Sequence, residues 1–199
     1  MSNPRNERYS TEEYVYGESP NVFFANQLIK LQPSTLLLPC EGEGRNAVFA
    51  AKHGWQVLAF DGSEVGRSKA LQLAAKNNVI FDYQIADATT VKYAPSSLDV
   101  VAFIYAHFPP SIRQTIHKNA IEWLKPGGKI ILEAFNPLQL NNSSGGPKDL
   151  AMLYTVAMLE EDFTGLHFEL LETLETTLAE GKYHEGKADV IRMVGTKLK

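Results

Sequence analysis

The sequence predicts an α/β protein with one mostly parallel sheet, helices on both faces of that sheet and an antiparallel hairpin near its C-terminal end. Short, continuous apolar runs alternate with longer helical patterns, which is typical of a parallel sheet covered on both faces. The last third instead carries two β-rich runs on either side of the polar stretch "AEGKYHEGK", as in a hairpin. A chain of 199 residues with 44% hydrophobic content can bury one good core, so we expect a single domain.

The elements follow one another in an order that supports this prediction. Residues 1–20 are a polar, tyrosine-rich arm that we expect to act as a lid, and residues 21–199 form the domain. A first helix begins after Pro20 and is stopped by Pro33 and Ser34. The next predicted strands are 35–39, 55–60, 79–85, 98–105 and 129–135, with helices over 45–53, 63–76 and 110–124 between them.

The rest of the chain predicts a turn, a long loop and the closing hairpin. "KPGG", residues 125–128, ends the third of these helices and starts the fifth strand. A Gly/Ser/Asn/Pro-rich loop over about 137–147 is long enough to suggest a function. A helix over about 148–161 and a hairpin of strands 166–178 and 188–198 complete the prediction.

Composition and charge exclude several classes of protein. No apolar run reaches about eighteen residues, and the N-terminus is polar, so we expect no membrane partner. The single cysteine, Cys40, and the five scattered histidines predict no disulfide, no metal site and a cytoplasmic location. A net charge of −4 without a cluster of Lys or Arg argues against nucleic acid. The expected partner is therefore a small molecule.

The stretch "LLLPCEGEGRN", residues 36–46, indicates a turn between a strand and a helix that could hold a ligand. Gly42, Gly44 and Ala47 fit the G-x-G-x-x-A spacing of a dinucleotide-binding turn. The glycines let the backbone approach a ligand, and the free N–H groups of the following helix favour an electron-rich group. A tight turn without a ligand would use the same glycines, and the turn alone does not separate the two interpretations.

Two aspartates favour the ligand site. Asp61 ends the second strand, 19 positions after Gly42, where a carboxylate can accept hydrogen bonds from both hydroxyls of a ribose. Asp87 follows the third strand, where it can accept from the exocyclic amine of an adenine. Each aspartate taken alone could instead cap a turn. Together with the glycines they mark one crevice at the carboxyl ends of three consecutive strands.

These motifs resemble those of the class I S-adenosylmethionine-dependent methyltransferases. "LLLPCEGEGRN" is similar to their glycine-rich first motif, "VLAFDGS" to the ribose motif, "IADATT" to the adenine motif and "WLKPGGKIILEAF" to the turn and fifth strand. The arm, "EGEGRN" and "HFPP" resemble small-molecule enzymes similar to the tellurite-resistance methyltransferases. The resemblance covers about residues 34–135. It implies a Rossmann-like domain with a seven-stranded sheet, S-adenosylmethionine as cofactor and a small-molecule acceptor.

The resemblance also implies which residues bind the cofactor. They belong to the arm, the glycine turn and the ends of three strands: Tyr16, Cys40, Glu41, Gly42, Gly44, Asn46, Asp61, Gly62, Ser63, Asp87, Ala88 and Tyr105. The sequence departs from the family's pattern at Leu38 and Cys40, where an acidic residue and a glycine are usual. Glu41 or Glu43 would then replace the missing carboxylate, and Cys40 lacks the conformational freedom of glycine.

Two residues are candidates for catalysis. His107 lies in "HFPP" after the fourth strand, where enzymes that methylate amines carry Asn/Asp-Pro-Pro-aromatic. It is a general base, an orienting group or the start of a helix. Glu133, at the end of the fifth strand, faces either the acceptor or the solvent.

Two other functions fit parts of the sequence. The G-x-G-x-x-A turn and Asp61 would also suit an NAD(P)-dependent oxidoreductase, against which the single expected domain argues. A catalytically silent nucleoside-binding module would explain Leu38 and Cys40, but it gives no reason for Asp61 and Asp87.

Overall fold

The computed structural model describes residues 4–198 and places their strands in one seven-stranded sheet. The strands are β1 (Thr35–Pro39), β2 (Gln56–Asp61), β3 (Asp82–Ile85), β4 (Leu98–Ile104), β5 (Leu124–Phe135), β6 (Leu166–Ala179) and β7 (Glu185–Lys197). Their order across the sheet is β3-β2-β1-β4-β5-β7-β6. The first five in this order are parallel to one another, and β7 is antiparallel to both β5 and β6. The predicted sheet with its closing antiparallel hairpin is confirmed.

Helices cover both faces of this sheet, as its continuous apolar strands require. The α-helices of the described residues are α1 (Pro4–Tyr9), α2 (Val22–Leu28), α3 (Arg45–Lys52), α4 (Glu64–Lys76), α5 (Pro110–Trp123) and α6 (Val156–Asp162). Apolar residues of α2, α3 and α4 pack on one face, and those of α5 and α6 pack on the other. None of the helices within residues 4–198 is long and apolar enough to cross a membrane.

The central strand β1 shows why the apolar runs are continuous. Leu37 points into the cluster that contains α5 and α6, whereas Leu36 and Leu38 point into the cluster on the opposite face. All three side chains are at most 1% exposed. Each fully buried leucine contributes about 1.5–3 kcal/mol, so both faces of β1 drive the folding of this domain.

The structure differs from the sequence prediction between residues 148 and 161. A 3-10 turn occupies Leu150–Met152, and α6 begins only at Val156. Leu153 and Tyr154, both fully buried, lie between the two helices. The Thr155 hydroxyl then accepts a hydrogen bond from the backbone N–H of Met158 and caps α6. The prediction of one helix is therefore wrong, because burial of these two side chains separates the segments.

Two further boundaries also differ. β3 has only four residues, Asp82–Ile85, in place of the predicted 79–85. The "KPGG" segment lies inside β5, where the pairing with β4 shifts register between Leu98 and Val100 and Gly127 has a φ of 82°. The turn is thus an irregularity within a longer strand.

The arm is docked on the domain over the residues that the structure describes; residues 1–3 of the predicted arm lie outside them. Val15 is buried, and its backbone N–H donates to Glu43 at 2.9 Å. Lys69 of α4 donates to the carbonyl oxygens of Thr11 and Glu13, at 3.0 and 2.6 Å. These bonds hold residues 10–15 against α4 and place α1 above the carboxyl edge of the sheet.

Candidate active site

A cavity of about 500 Å³ lies at the carboxyl ends of the parallel strands. Seven of the residues predicted from the sequence line it: Tyr16, Cys40, Glu41, Asn46, Asp61, Tyr105 and His107. Gly42, Gly44, Gly62, Ser63, Asp87, Ala88 and Glu133 are not among the lining residues that the structure describes. The cavity extends from the end of β2 to the ends of β4 and β5. This is the edge at which open α/β sheets bind their ligands.

The glycine turn has the geometry that its sequence predicts. Gly42 and Gly44 have φ angles of 61° and 87°, which residues other than glycine rarely adopt. A methyl group at Gly44 would lie 2.6 Å from the Cβ of Ala70, so this glycine lets α3 approach α4. A methyl group at Gly42 would lie 2.6 Å from the hydroxyl oxygen of Tyr9. The arm, through Tyr9, therefore covers the turn.

Cys40 has the backbone conformation of the glycine that it replaces. Its φ is 57°, in the left-handed region. The thiol lies beside the guanidinium of Arg5, with Nη1 4.0 Å from Sγ. Burial raises the pKa of the Cys40 thiol to about 11, so the thiol is protonated at neutral pH.

Glu41 caps the helix that follows the turn. Its Oε1 accepts hydrogen bonds from the backbone N–H groups of Asn46 and Ala47, both at 2.8 Å. Burial raises the pKa of Glu41 to about 7, although these bonds counteract that effect. Glu43 instead pairs with Lys69 at 2.5 Å and lies outside the lining. Of the two predicted replacements for the missing carboxylate, only Glu41 borders the cavity.

Asp61 is buried at the end of β2, where α1 lies over it. Its Oδ1 accepts from the backbone N–H of Ser63 at 2.9 Å and lies 3.4 Å from Nη1 of Arg5. The Ser63 hydroxyl, which caps α4, also contacts Asn6 at 2.6 Å. The arm thus supplies a donor to Asp61, from Arg5, and an acceptor to Ser63, from the side-chain oxygen of Asn6.

Asp87 caps its own turn. Its Oδ1 accepts from the backbone N–H and the hydroxyl of Thr89, at 2.7 and 2.6 Å, and these bonds lower its pKa. The side chain is exposed, outside the cavity lining. Contact of Asp87 and the neighbouring Ala88 with an adenine stays a prediction.

His107 has both ring nitrogens bonded to the backbone. Nδ1 donates to the carbonyl oxygen of Met152 at 2.7 Å, and Nε2 accepts from the backbone N–H of Phe135 at 3.2 Å. Burial lowers the pKa of His107 to about 4, so the ring is neutral. A general base needs a free nitrogen that faces the substrate. Of the three roles that the sequence allowed for His107, this geometry therefore favours that of an orienting group. The ring connects the loop at Met152 to the end of β5.

Glu133 points away from the cavity and holds Tyr105. Its carboxylate accepts from the Tyr105 hydroxyl at 2.9 Å, from the Asn21 side chain at 2.6 Å and from Arg192. Tyr105, directly after β4, has a φ of 52°, and its ring stacks on Phe135 with centroids 4.7 Å apart. The expectation that Glu133 faces either the acceptor or the solvent is not met. The carboxylate is 1% exposed and positions a residue of the cavity wall.

Comparison with known sequences points to methyltransferases. A sequence model described as "Methyltransferase domain" matches residues 38–128. Phosphoethanolamine N-methyltransferase 1 of Triticum aestivum is 28% identical over 134 residues, which make up 66% of this chain and 27% of that protein. The protein of the same name from Arabidopsis thaliana is 27% identical over 59% of this chain and 24% of its own length. The chain thus spans about a quarter of the length of these relatives.

Comparison with solved structures agrees at the level of the fold. A protein solved in work on the conversion of a disulfide bond into a thioacetal group during echinomycin biosynthesis has a TM-score of 0.78 at 15% identity, over 98% of this chain and 88% of that one. TehB from Haemophilus influenzae has a TM-score of 0.73 at 16% identity, over 96% of this chain and 65% of that one. A SAM-dependent methyltransferase from Methanosarcina mazei has a TM-score of 0.69 at 18% identity, over 90% of this chain and 99% of that one. The chain has the class I methyltransferase fold.

Two features of the cavity of this methyltransferase fold agree with expectations from the sequence, because Tyr9 of the arm and residues 145–149, which include the end of the 137–147 loop, line it. Sequence analysis missed the other lining residues of the arm, of α3 and of the tip of the β6–β7 hairpin: Arg5, Arg8, Arg45, Tyr183 and His184. Arg45 pairs with Glu180 of the hairpin, Nη2 to Oε2, at 2.8 Å. The length and polarity of "AEGKYHEGK" were the only signals for the hairpin tip, and they also fit an ordinary solvated turn.

Proposed function

We propose that this chain transfers a methyl group from S-adenosylmethionine to a small-molecule acceptor. The single observation that carries the proposal is Asp61, a buried carboxylate that ends β2 and lines the cavity beside the glycine turn. A carboxylate here is an acceptor for the hydroxyls of a ribose. The methyltransferase fold and the matched domain support this interpretation over the nicotinamide cofactor that the same carboxylate could bind.

The residues present fit such a cofactor. Asp61 would hold the ribose, and Glu41, Asn46, Tyr16 and Tyr105 would surround the methionine end, where a carboxylate and aromatic faces suit an ammonium and a sulfonium. When bound, S-adenosylmethionine supplies a methyl group on a positively charged sulfur. Exclusion of water and alignment of the acceptor are then the contributions of the protein, and alignment can lower the barrier by roughly 7–11 kcal/mol.

The size of the cavity supports a small acceptor. Sites for drug-sized ligands occupy about 300–1,000 Å³, and about 500 Å³ leaves little space beside a nucleoside cofactor. The curated relatives are named for phosphoethanolamine, which is also a small molecule. No nucleic acid or membrane partner is part of this proposal, and a cytoplasmic location stays a prediction.

Titration calorimetry tests the function. We expect S-adenosylmethionine and S-adenosylhomocysteine to bind and NADH not to bind. Asp61→Ala should weaken binding of S-adenosylhomocysteine by about 10- to 10⁴-fold, because it removes one or two charge-assisted hydrogen bonds of roughly 1.5–3 kcal/mol each. Asp82→Ala, at the exposed start of β3, is the matched control and should bind like the wild type.

The same titrations separate the three candidate functions. Binding of NADH in preference to S-adenosylhomocysteine would indicate the oxidoreductase. Tight binding of S-adenosylmethionine without turnover of any small acceptor would favour the silent nucleoside-binding module. Equal affinity of a folded Asp61→Ala variant and the wild type would contradict the assignment of Asp61 to the ribose.

A further inference from the structure

His184 lies at the end of the cavity opposite Asp61. It belongs to the tip of the β6–β7 hairpin, and its ring lines the cavity together with Tyr16, Tyr105 and Phe135. The ring centroids of these three residues are 4.6, 4.3 and 5.4 Å from that of His184. In the sheet, the strands β1 and β4 separate β2, which Asp61 ends, from β5, which Phe135 ends. A ligand whose ribose contacts Asp61 would extend toward this aromatic end.

The position of the His184 ring is fixed on several sides. A tight turn joins Glu180 and His184, in which the Glu180 N–H donates to the His184 carbonyl at 2.8 Å and the His184 N–H donates to the Gly181 carbonyl at 3.0 Å. On another side the loop backbone at Gly145 is so close that a methyl group there would lie 3.0 Å from Cδ2 of His184. The side chain is only 6% exposed. Such a ring is held in place before any ligand binds.

One nitrogen of His184 faces a carboxylate and has no hydrogen-bond partner within residues 4–198. Nδ1 is buried and lies 3.6 Å from Oε2 of Glu180, slightly beyond hydrogen-bond distance. Glu180 also accepts from Arg45 at 2.8 Å and from Asn21 at 3.0 Å. Although burial opposes it, His184 and Arg45 lower the pKa of Glu180 to about 2. An ionised carboxylate beside Nδ1 favours the tautomer with its proton on Nδ1, which leaves the lone pair on Nε2.

The charged groups around the ring keep it neutral near pH 7. Burial lowers the pKa of His184, Arg45 lowers it further, and Glu180 and Glu133 raise it. The net direction is downward from the ordinary value of 6.5. A neutral imidazole with one nitrogen oriented by a carboxylate is the arrangement of a general base. His107, by contrast, has neither nitrogen available.

We propose that His184 is the general base of methyl transfer, that Glu180 orients it, and that the acceptor is a small molecule with an O–H or N–H proton. This inference rests on the proposed methyltransferase function. The proton of the acceptor would move to Nε2 of His184 as the oxygen or nitrogen lone pair forms its bond to the methyl carbon. The electron pair of the broken carbon–sulfur bond stays on sulfur. An acceptor that is already an anion would not need His184.

Nitrogen-15 NMR of the histidine side chains tests this proposal without an acceptor. In the complex with S-adenosylhomocysteine at pH 7.5, we expect the His184 resonances, assigned by their loss in His184→Gln, to show a proton on Nδ1 and none on Nε2. Glu180→Gln should shift the equilibrium toward a proton on Nε2, because it removes the anionic partner. A proton on Nε2 of the wild-type complex would overturn the proposal.

Turnover is the second measurement. The acceptors are catechol, ethanolamine, phosphoethanolamine and, as a soft nucleophile, 2-mercaptoethanol. His184→Gln should lower kcat on an O–H or N–H acceptor by roughly 10²–10⁴-fold, with unchanged affinity for S-adenosylhomocysteine. Glu180→Gln should give a smaller loss and a changed pH profile. His167→Gln, on the exposed face of β6, is the matched control and should keep wild-type turnover.

The outcomes separate the two proposals. Wild-type protein that does not bind S-adenosylhomocysteine would overturn the proposed function. Wild-type binding combined with full kcat in His184→Gln would leave the proposed function intact and overturn the role of His184 alone. Loss of cofactor affinity in His184→Gln, with turnover restored at saturating cofactor, would assign the residue to binding and also overturn its role as base.

Discussion

Cys40 illustrates, at the scale of one residue, how strongly the turn after β1 constrains the backbone. A left-handed conformation costs a residue with a Cβ roughly 1 kcal/mol or more, and yet Cys40 adopts it with a φ of 57°. The preceding strand and the cap of α3 by Glu41 determine the path of the chain on either side. The backbone geometry of the glycine-rich motif is therefore retained although the glycine is absent.

Substitution of Cys40 should reveal this strain. We expect Cys40→Gly to be more stable toward unfolding by urea than Cys40→Ala by about 1 kcal/mol, because only glycine adopts a positive φ without steric cost. The thiol is absent from both variants, so the difference between their free energies of unfolding reports the cost of the backbone conformation at residue 40. Equal free energies of unfolding would show that the turn relaxes around residue 40.

The site residues that could be predicted from the sequence are those next to the ends of strands. Asp61 and Tyr105 directly follow apolar runs, so their place at the carboxyl edge is determined by local pattern. Arg45 is held by Glu180 of the hairpin tip, which is 135 residues from Arg45 in the chain. Such a pairing has no local signature in one sequence. His107 was found by its position, but its hydrogen bonds depend on Met152 and Phe135 and were not predictable.

At the scale of elements, a buried ion pair joins α5 to α6. Arg113 donates to Asp162 through Nε at 2.6 Å and Nη2 at 3.3 Å, and Nδ1 of His117 lies 2.8 Å from the same carboxylate. The Asp162 side chain is fully buried. His117 and Arg113 lower the pKa of Asp162 although burial opposes this. The carboxylate is thus the centre of the contact between the two helices.

Removal of this charge should strongly destabilise the domain. We expect Asp162→Asn to lower the free energy of unfolding by about 3–5 kcal/mol, because Arg113 is then left as a buried charge without its partner. Glu161→Gln, on the exposed side of the same helix, is the matched control and should change stability by less than about 0.5 kcal/mol. Urea unfolding measures both. A loss below 1 kcal/mol for Asp162→Asn would show that water reaches Arg113.

The fold could be predicted at this scale because its strands are buried on both faces. The runs at β1, β2 and β4 are apolar except near their ends, and their bounds differ from the prediction by at most one residue. Prediction failed where tertiary contacts override local propensity. The segment 148–161 favours a helix locally, but burial of Leu153 and Tyr154 divides it. The position of β7 between β5 and β6 was not predicted either, because strand order depends on contacts between distant segments.

At the scale of the whole molecule, three buried histidines make stability depend on pH. Burial lowers the pKa values of His107, His117 and His184, and that of His107 is about 4. Between pH 6.5 and the lowered values, the unfolded chain binds protons that the folded protein excludes. The histidine contribution to stability is therefore complete above about pH 7 and is lost as the pH falls, whereas Glu41, whose pKa burial raises to about 7, contributes in the opposite direction over the same range.

The expected loss is large enough to measure. For His107 alone, a shift from 6.5 to about 4 corresponds to about 2 kcal/mol between pH 7 and pH 5. Urea unfolding at both pH values should show a loss of stability that is smaller by about 2 kcal/mol for His107→Gln than for the wild type, since the contribution of Glu41 is common to both proteins. His167→Gln, on an exposed strand face, should keep the wild-type difference. An equal difference in all three proteins would contradict the burial of His107.

The Arg5 guanidinium lies beside Asp61, where the ribose of the proposed cofactor would bind. If the ribose takes the place of the guanidinium, Asp61 exchanges one donor for others and the total number of its hydrogen bonds changes little. The enthalpy of binding then includes the loss of this contact, while α1 gains conformational entropy when it is released. Ligand entry at the end of β2 is then a displacement in which a sugar replaces a side chain of the protein itself.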